Sequence, residues 1–175
     1  MRRNYLFLCA QTNLFFEMIR PIAATDNPEI AQVIRNVLIE FNAPKEGTAY
    51  ADDALSGLYE NYLADNCAYF VVEINGKICG GAGIAPLENE ANTICELQKM
   101  YFLPEIRGKG FGQKLMQICL DFAKKAGFKQ CYIETLPNMT NAQKLYLKSG
   151  FEYINQPMGN TGHHACDVWM VKDLI

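Results

Sequence analysis

A surplus of positive charge is missing from this 175-residue chain: 16 lysines and arginines face 19 aspartates and glutamates, a formal net charge of −3. No global basic field is present to recruit nucleic acid. Histidine is nearly absent, with only the adjacent pair His163 and His164. Neighbours in a strand point to opposite faces, Asp167 would face away from Cys166, and no second ligand pair has metal spacing, so a zinc centre is not expected. No Cys-x-x-Cys pair occurs. The seven cysteines (9, 67, 79, 95, 119, 131 and 166) are scattered singly, most inside apolar runs. They read as reduced core thiols of a cytosolic protein rather than a disulfide framework. A membrane-length apolar run is also lacking. In "MRRNYLFLCAQTNLFF", two arginines precede an apolar stretch as in a signal peptide. Gln11, Thr12 and Asn13 interrupt it, however, and no small-residue cleavage site follows. Residues 1–17 are therefore read as an extension before a single domain spanning 18–175.

What is present is ordinary for a globular domain: half the residues are hydrophobic and a fifth are charged. The pattern predicts a strand at "EMIRPIA" (17–23). A helix follows, with Asp26 as N-cap, Glu29 as capping-box acid, and Ile30, Val33, Ile34, Val37 and Leu38 at helical spacing. A loop, "NAPKEGTAY", precedes a second helix over 51–64. Asn75-Gly76 between "CAYFVVEI" and "KICGGAGIAPL" predicts a β-hairpin. Another strand covers 93–103, and a helix covers 110–126 with Gly127 at its C-cap. "KQCYIETL" reads as a strand. Thr140 and Gln143 frame a capping box for a helix ending at Gly150, and strands "FEYIN" and "ACDVWMVKDL" close the chain around the loop "QPMGNTGHH".

The densest chemical signal is "MYFLPEIRGKGFGQKLM" (100–116). A strand runs into a turn holding Gly108, Gly110 and Gly112, with Arg107 and Lys109 between them, and a helix starts at once. Unpaired N–H groups at a helix start, the helix dipole and two cations make an anion site; glycine lets a phosphate approach the backbone. A solvated turn using glycine for its geometry is the alternative. The P-loop pattern fails because Gly110 follows Lys109, and the dinucleotide pattern fails for want of a correctly spaced glycine.

The pattern that fits is Arg107-x-x-Gly110-x-Gly112, followed about thirty residues later by "NAQKLYLKSGF". In these two motifs and in the order of its elements, from about Met18 to Ile175, the chain resembles the GNAT superfamily of acetyl-CoA-dependent N-acetyltransferases. The resemblance implies an α+β fold: a mixed, mostly antiparallel sheet, splayed between its fourth and fifth strands, with helices on both faces. Acetyl-CoA would enter the split as acyl donor, with no metal. Backbone groups at Phe102 and Leu103 would hold the pantetheine arm. The Met100 N–H would polarise the acetyl carbonyl, and amides from Arg107 through Gly108, Lys109, Gly110 and Phe111 to Gly112 would hold the pyrophosphate.

Tyr146 matches the family tyrosine whose hydroxyl protonates the departing thiolate; a tyrosine buried for packing is the alternative. Where the family often has asparagine three residues before the alanine, this chain has Met139, flanked by Asn138 and Asn141. Glu96 is the candidate base; along an ideal strand it shares a face with Met100 and Phe102, a parity that a bulge would shift, and a strand carboxylate paired with a cation is its alternative. Glu134 is a candidate for binding the amine, and His163 or His164 for a titrating contact at the acceptor pocket. The implied reaction is acetylation of a small-molecule primary amine by direct attack, in a cytoplasmic enzyme with no nucleic-acid or membrane partner, and with a homodimer left open. A non-catalytic acyl-CoA sensor and a peptide or protein acetyltransferase are the rival readings.

Overall fold

A computed structural model describes residues 16–174; apart from Phe16 and Glu17, the expected N-terminal extension lies outside them. Seven strands form one sheet: β1 (Glu17–Pro21), β2 (Ala68–Ile74), β3 (Lys77–Pro86), β4 (Ile94–Phe102), β5 (Gln130–Thr135), β6 (Glu152–Ile154) and β7 (Val168–Asp173). Their spatial order is β1-β2-β3-β4-β5-β7-β6. All neighbours run antiparallel except β4 and β5, which pair in parallel over only three positions: Ile94 with Gln130, Cys95 with Cys131, and Glu96 with Tyr132. Beyond Glu96 the two strands part. The sheet is thus mixed, mostly antiparallel and split where expected.

A bulge accompanies the parting. Gln98 pairs with Gly83 and Tyr101 with Gly81, so β4 carries one residue more than β3 across Ala82. Lys99 takes up the excess at φ 51°, in the left-handed region. An inserted residue bends its strand and steepens the local twist.

Helices cover both faces. α1 (Asn27–Glu40) packs Ile30, Ile34 and Leu38 against Tyr69, Val71 and Ile78. On the other face, α3 (Phe111–Lys125) packs Leu115, Met116 and Cys119 against Val72, Ala82 and Leu97. α4 (Thr140–Lys148) follows β5. The Asn75-Gly76 turn forms with φ 52° and 80°, the two positive values of a type I′ hairpin. Gly127, at φ 89°, ends α3 as expected, with Phe128 N–H returning to the Ala123 carbonyl.

Three local expectations fail. The helix over 51–64 is broken into 3-10 turns and the single α-turn α2 (Leu58–Asn61). Gly57 interrupts it at φ −134°, and Asn61 Nδ2 takes the freed carbonyls of Ala54 and Gly57. Asp26 does not cap α1; Arg20 grips it in a fork at 2.6 and 2.9 Å, while Glu29 accepts from Ile78 N–H at 3.0 Å. Gln143 makes no capping box either, since its amide reaches back to the Leu136 and Pro137 carbonyls. In both capping cases a partner remote in sequence or a nearby carbonyl outcompetes the cap.

Candidate active site

The split between β4 and β5 opens into a cleft of about 520 Å³, whose walls include Phe41, Met100, Phe102, Gly108, Gly110 and Tyr146. Backbone directions follow from one bond. Leu103 N–H donates to the Cys79 carbonyl at 2.8 Å, so Leu103 and Tyr101 face β3. Alternation then turns Phe102 across the split. Its carbonyl is taken there by Arg107 Nε at 2.8 Å.

At the cleft mouth, Gly108 and Gly110 sit at φ 72° and 87°, and α3 starts directly after Gly110. Having no side chain, Gly110 caps nothing. The first helical bond is Lys114 N–H to the Gly110 carbonyl at 3.1 Å. The N–H groups of Phe111, Gly112 and Gln113 therefore lack helical acceptors and mark the anion end of the helix. Gly112 also permits close packing, since a Cβ there would lie 3.1 Å from Leu145. The Phe111 ring is buried in the core, and Lys109 is exposed.

Arg107 departs from its expected use as a counter-ion. Its guanidinium forks onto Glu40 with both contacts at 2.7 Å, and lies 5.4 Å from the Phe41 ring centroid. The bonding to Arg107 holds the Glu40 carboxyl below its usual range. Arg107 N–H is also engaged, by the Pro104 carbonyl at 3.2 Å. This side chain fastens the end of α1 to the glycine turn.

α4 places Tyr146 on the wall of the same cleft as Met100. Only 5% exposed, its phenol is pushed up by burial and stays protonated at neutral pH. Cys166 is also held as a thiol: burial, reinforced by Glu134 and Glu96, pushes it up to about 12. It is therefore a poor nucleophile.

Glu96 lies on the opposite face of β4 from Phe102, contrary to the alternation expected for an unbroken strand. The bulge reverses the parity, putting Glu96, Gln98 and Tyr101 on the α1 side. Burial pushes the Glu96 carboxyl up, opposed by the 2.6 Å bond that it accepts from Gln98 Nε2. Tyr62 in turn donates to Gln98 Oε1 at 2.6 Å.

Nearby, Asp52 pairs with Lys99 Nζ at 2.8 Å and His163 Nε2 at 3.2 Å. Burial alone would raise the Asp52 carboxyl, but these partners outweigh it and hold it at about 2. His164 diverges from His163 and lies against Gly47, where a Cβ would meet its Nε2 at 2.6 Å. Glu134 accepts from the Tyr132 and Thr161 hydroxyls at 2.7 and 2.6 Å, anchoring the loop before β7. Asp52, Lys99, Gln98 and Tyr62 were missed by sequence reading. One signal was available: the glycines at 80, 81 and 83 announce a strand crossed by bulky neighbours.

The family model described as the Acetyltransferase (GNAT) family matches residues 32–151. The chain belongs to this family. The enzyme is an N-acetyltransferase, and a relative from Escherichia coli K12, the "Uncharacterized N-acetyltransferase YjgM", is 46% identical over 158 residues, 90% of this chain and 95% of that protein. Among solved structures, a GNAT-family acetyltransferase from Staphylococcus aureus Mu50 superposes with TM-score 0.81 at 21% identity, covering 91% of this acetyltransferase and all of that chain. The yncA protein of Salmonella typhimurium, solved with its cofactor acetyl-CoA, gives TM-score 0.72 at 21% identity, over 91% of this chain and 95% of that one. These likenesses carry the fold. In this acetyltransferase no described helix is long and apolar enough to cross a membrane.

Proposed function

We propose that this enzyme transfers the acetyl group of acetyl-CoA to the primary amine of a small molecule by direct attack within a ternary complex. One observation carries the reading: Tyr146 and Met100 line a single cleft that starts at the glycine turn, and the buried carboxylate of Glu96 stands on the same strand as Met100. The cofactor's pyrophosphate lies on the N–H groups of the turn and the start of α3, and its pantetheine arm runs past the Phe102 N–H. The neutral amine attacks the thioester carbon, with its proton leaving towards Glu96. The developing oxyanion meets the Met100 N–H. The C–S bond breaks, and Tyr146 supplies a proton to the departing thiolate. Acetyl-CoA bound to yncA of the same fold supports the cofactor's identity.

A small acceptor is favoured because Glu96 is 5% exposed, covered by segments that are stitched together. Ala165 N–H bonds the Gly47 carbonyl at 3.0 Å, and His163 pairs with Asp52. A peptide acetyltransferase calls for an open acidic groove. The decisive experiment screens amines by release of CoA thiol, alongside calorimetric titration of CoA into Gly110→Asp. Aspartate at φ 87° carries strain, but it visits the left-handed region more readily than most residues and open space surrounds its Cβ; the variant is expected to fold, which circular dichroism checks, while its carboxylate repels phosphate. Turnover by the native protein and lost CoA binding by the variant are expected. Tight acetyl-CoA binding without turnover on any amine would favour the sensor reading, and unchanged CoA affinity in Gly110→Asp would remove the phosphate site.

A further inference from the structure

The peptide joining Lys99 to Met100 is fixed by a residue two strands away. Tyr69, on β2 and 1% exposed, reaches over β3 and donates its hydroxyl to the Lys99 carbonyl at 3.0 Å. It can cross only because β3 has no side chains in its path: a Cβ on Gly81 would lie 2.5 Å from Tyr69 Cε1, and one on Gly83 would lie 2.6 Å from Tyr69 Cδ2. A trans peptide is planar, with N–H and C=O opposed. Holding the Lys99 carbonyl towards Tyr69 therefore turns the Met100 N–H the other way, into the split. Strand alternation counted back from Leu103 gives the same direction.

Two further restraints act on this bulge. Lys99 sits at φ 51°, where a residue with a Cβ is strained. Its side chain, 8% exposed, is tethered by Asp52 at 2.8 Å. A hydrogen bond accepted by a peptide carbonyl also polarises that peptide and strengthens its N–H as a donor.

We propose that Tyr69 is a positioning residue for acyl transfer, aiming and polarising the Met100 N–H through the Lys99 carbonyl without itself touching substrate. The assignment rests on the reading of Met100 as the donor to the thioester oxygen. Tyr69→Phe removes one atom and keeps the ring that fills the space over Gly81 and Gly83. The test is isotope-edited infrared spectroscopy of acetyl-CoA, 13C-labelled at the acetyl carbonyl, bound to the full chain. Steady-state kinetics and calorimetry accompany it. In the native protein the carbonyl stretch should fall on binding. In Tyr69→Phe the fall should shrink and kcat should drop by about 10- to 100-fold, less than the roughly 10²–10³-fold cost of removing an oxyanion donor outright, while the acetyl-CoA Kd stays within about twofold. Tyr62→Phe is the control. Its ring centroid lies 5.2 Å from that of Tyr69, but its hydroxyl bonds Gln98 instead of the peptide, so the carbonyl shift should persist. A native-sized shift and kcat in Tyr69→Phe would overturn the assignment while leaving Met100 its role. Equal loss of the shift in both variants would also overturn it, by showing a packing effect. No shift in the native protein would refute the Met100 reading, and the assignment with it.

Discussion

Replacing Gly83 by alanine tests whether the bare stretch of β3 is a packing requirement. Alanine normally improves a strand interior over glycine by roughly 0.5–1 kcal/mol, through the lower chain entropy of the unfolded state. Here the new methyl would lie 2.6 Å from Tyr69 Cδ2 and 2.7 Å from both Tyr62 Cε1 and Cζ. Carbon atoms rest comfortably at about 3.5–4.0 Å, so one or both rings must retreat by roughly 1 Å. Neither has room, because Tyr69 is 1% and Tyr62 9% exposed. Overpacking of this kind costs about 1–3 kcal/mol, enough to reverse the entropic gain. The net loss, up to about 2.5 kcal/mol once the entropic gain is subtracted, should lower Tm by up to roughly 10 °C at about 2–4 °C per kcal/mol for a chain of this size. Thermal unfolding followed by circular dichroism, with urea titration to confirm an unchanged m-value, reads the effect. Turnover of the folded fraction should fall as well, since both displaced hydroxyls support site groups, Gln98 and the Lys99 carbonyl. A Tm equal to or above the native value would refute the reasoning, because the entropic gain would then stand unopposed.

Tyr146→Phe should leave acetyl-CoA affinity unchanged and lower kcat by about 10²-fold if Tyr146 is the acid; undiminished turnover with chemistry rate-limiting would assign the proton to another donor. Glu96→Gln should slow turnover most near neutral pH and recover partly in alkali, where more amine is already unprotonated; a uniform loss across pH would indicate a positioning role. The same variant should be more stable than the native protein at neutral pH. The Glu96 carboxyl is raised by burial, so its contribution to stability is greatest below its unfolded value and is lost as pH rises through its folded one. Urea midpoints should therefore diverge towards neutral pH and converge in acid, and parallel curves would contradict the direction of the shift.

The sheet, its split and the glycine-led helix were legible because each rests on local chemistry: the Asn-Gly hairpin, the apolar periodicity of 111–123, and glycine where φ is positive. The caps at Asp26 and Gln143 were misread because side-chain bonds to Arg20 and to nearby carbonyls compete with capping, and propensity cannot see the first of these. Arg107 was read as a phosphate ligand because its partner Glu40 lies 67 residues earlier in sequence. The face of Glu96 turned on a bulge whose place could not be read. One inserted residue reverses every later position, and nothing about Lys99 as a residue type announces φ 51°. Asp52, Lys99 and His163 come together only once the bulge and two loops are in place.

The three-position parallel pairing of β4 with β5 makes the sheet two antiparallel ribbons joined by a short seam. One ribbon, β1 to β4, carries the bulge and Met100; the other, β5, β7 and β6, leads into α4 and Tyr146. A slight rotation about that seam would widen the cleft without disturbing the strand pairing inside either ribbon. The same rotation would change the span from Met100 to Tyr146, which on the proposed reading receives the thioester. On that reading, entry of a long cofactor and alignment of Met100 with Tyr146 would depend on one mechanical coordinate. The fork from Arg107 to Glu40 and the bond from Asn138 Nδ2 to the Phe41 carbonyl fasten the end of α1 to both sides of that opening. Such a tie-bar would limit how far the ribbons could swing.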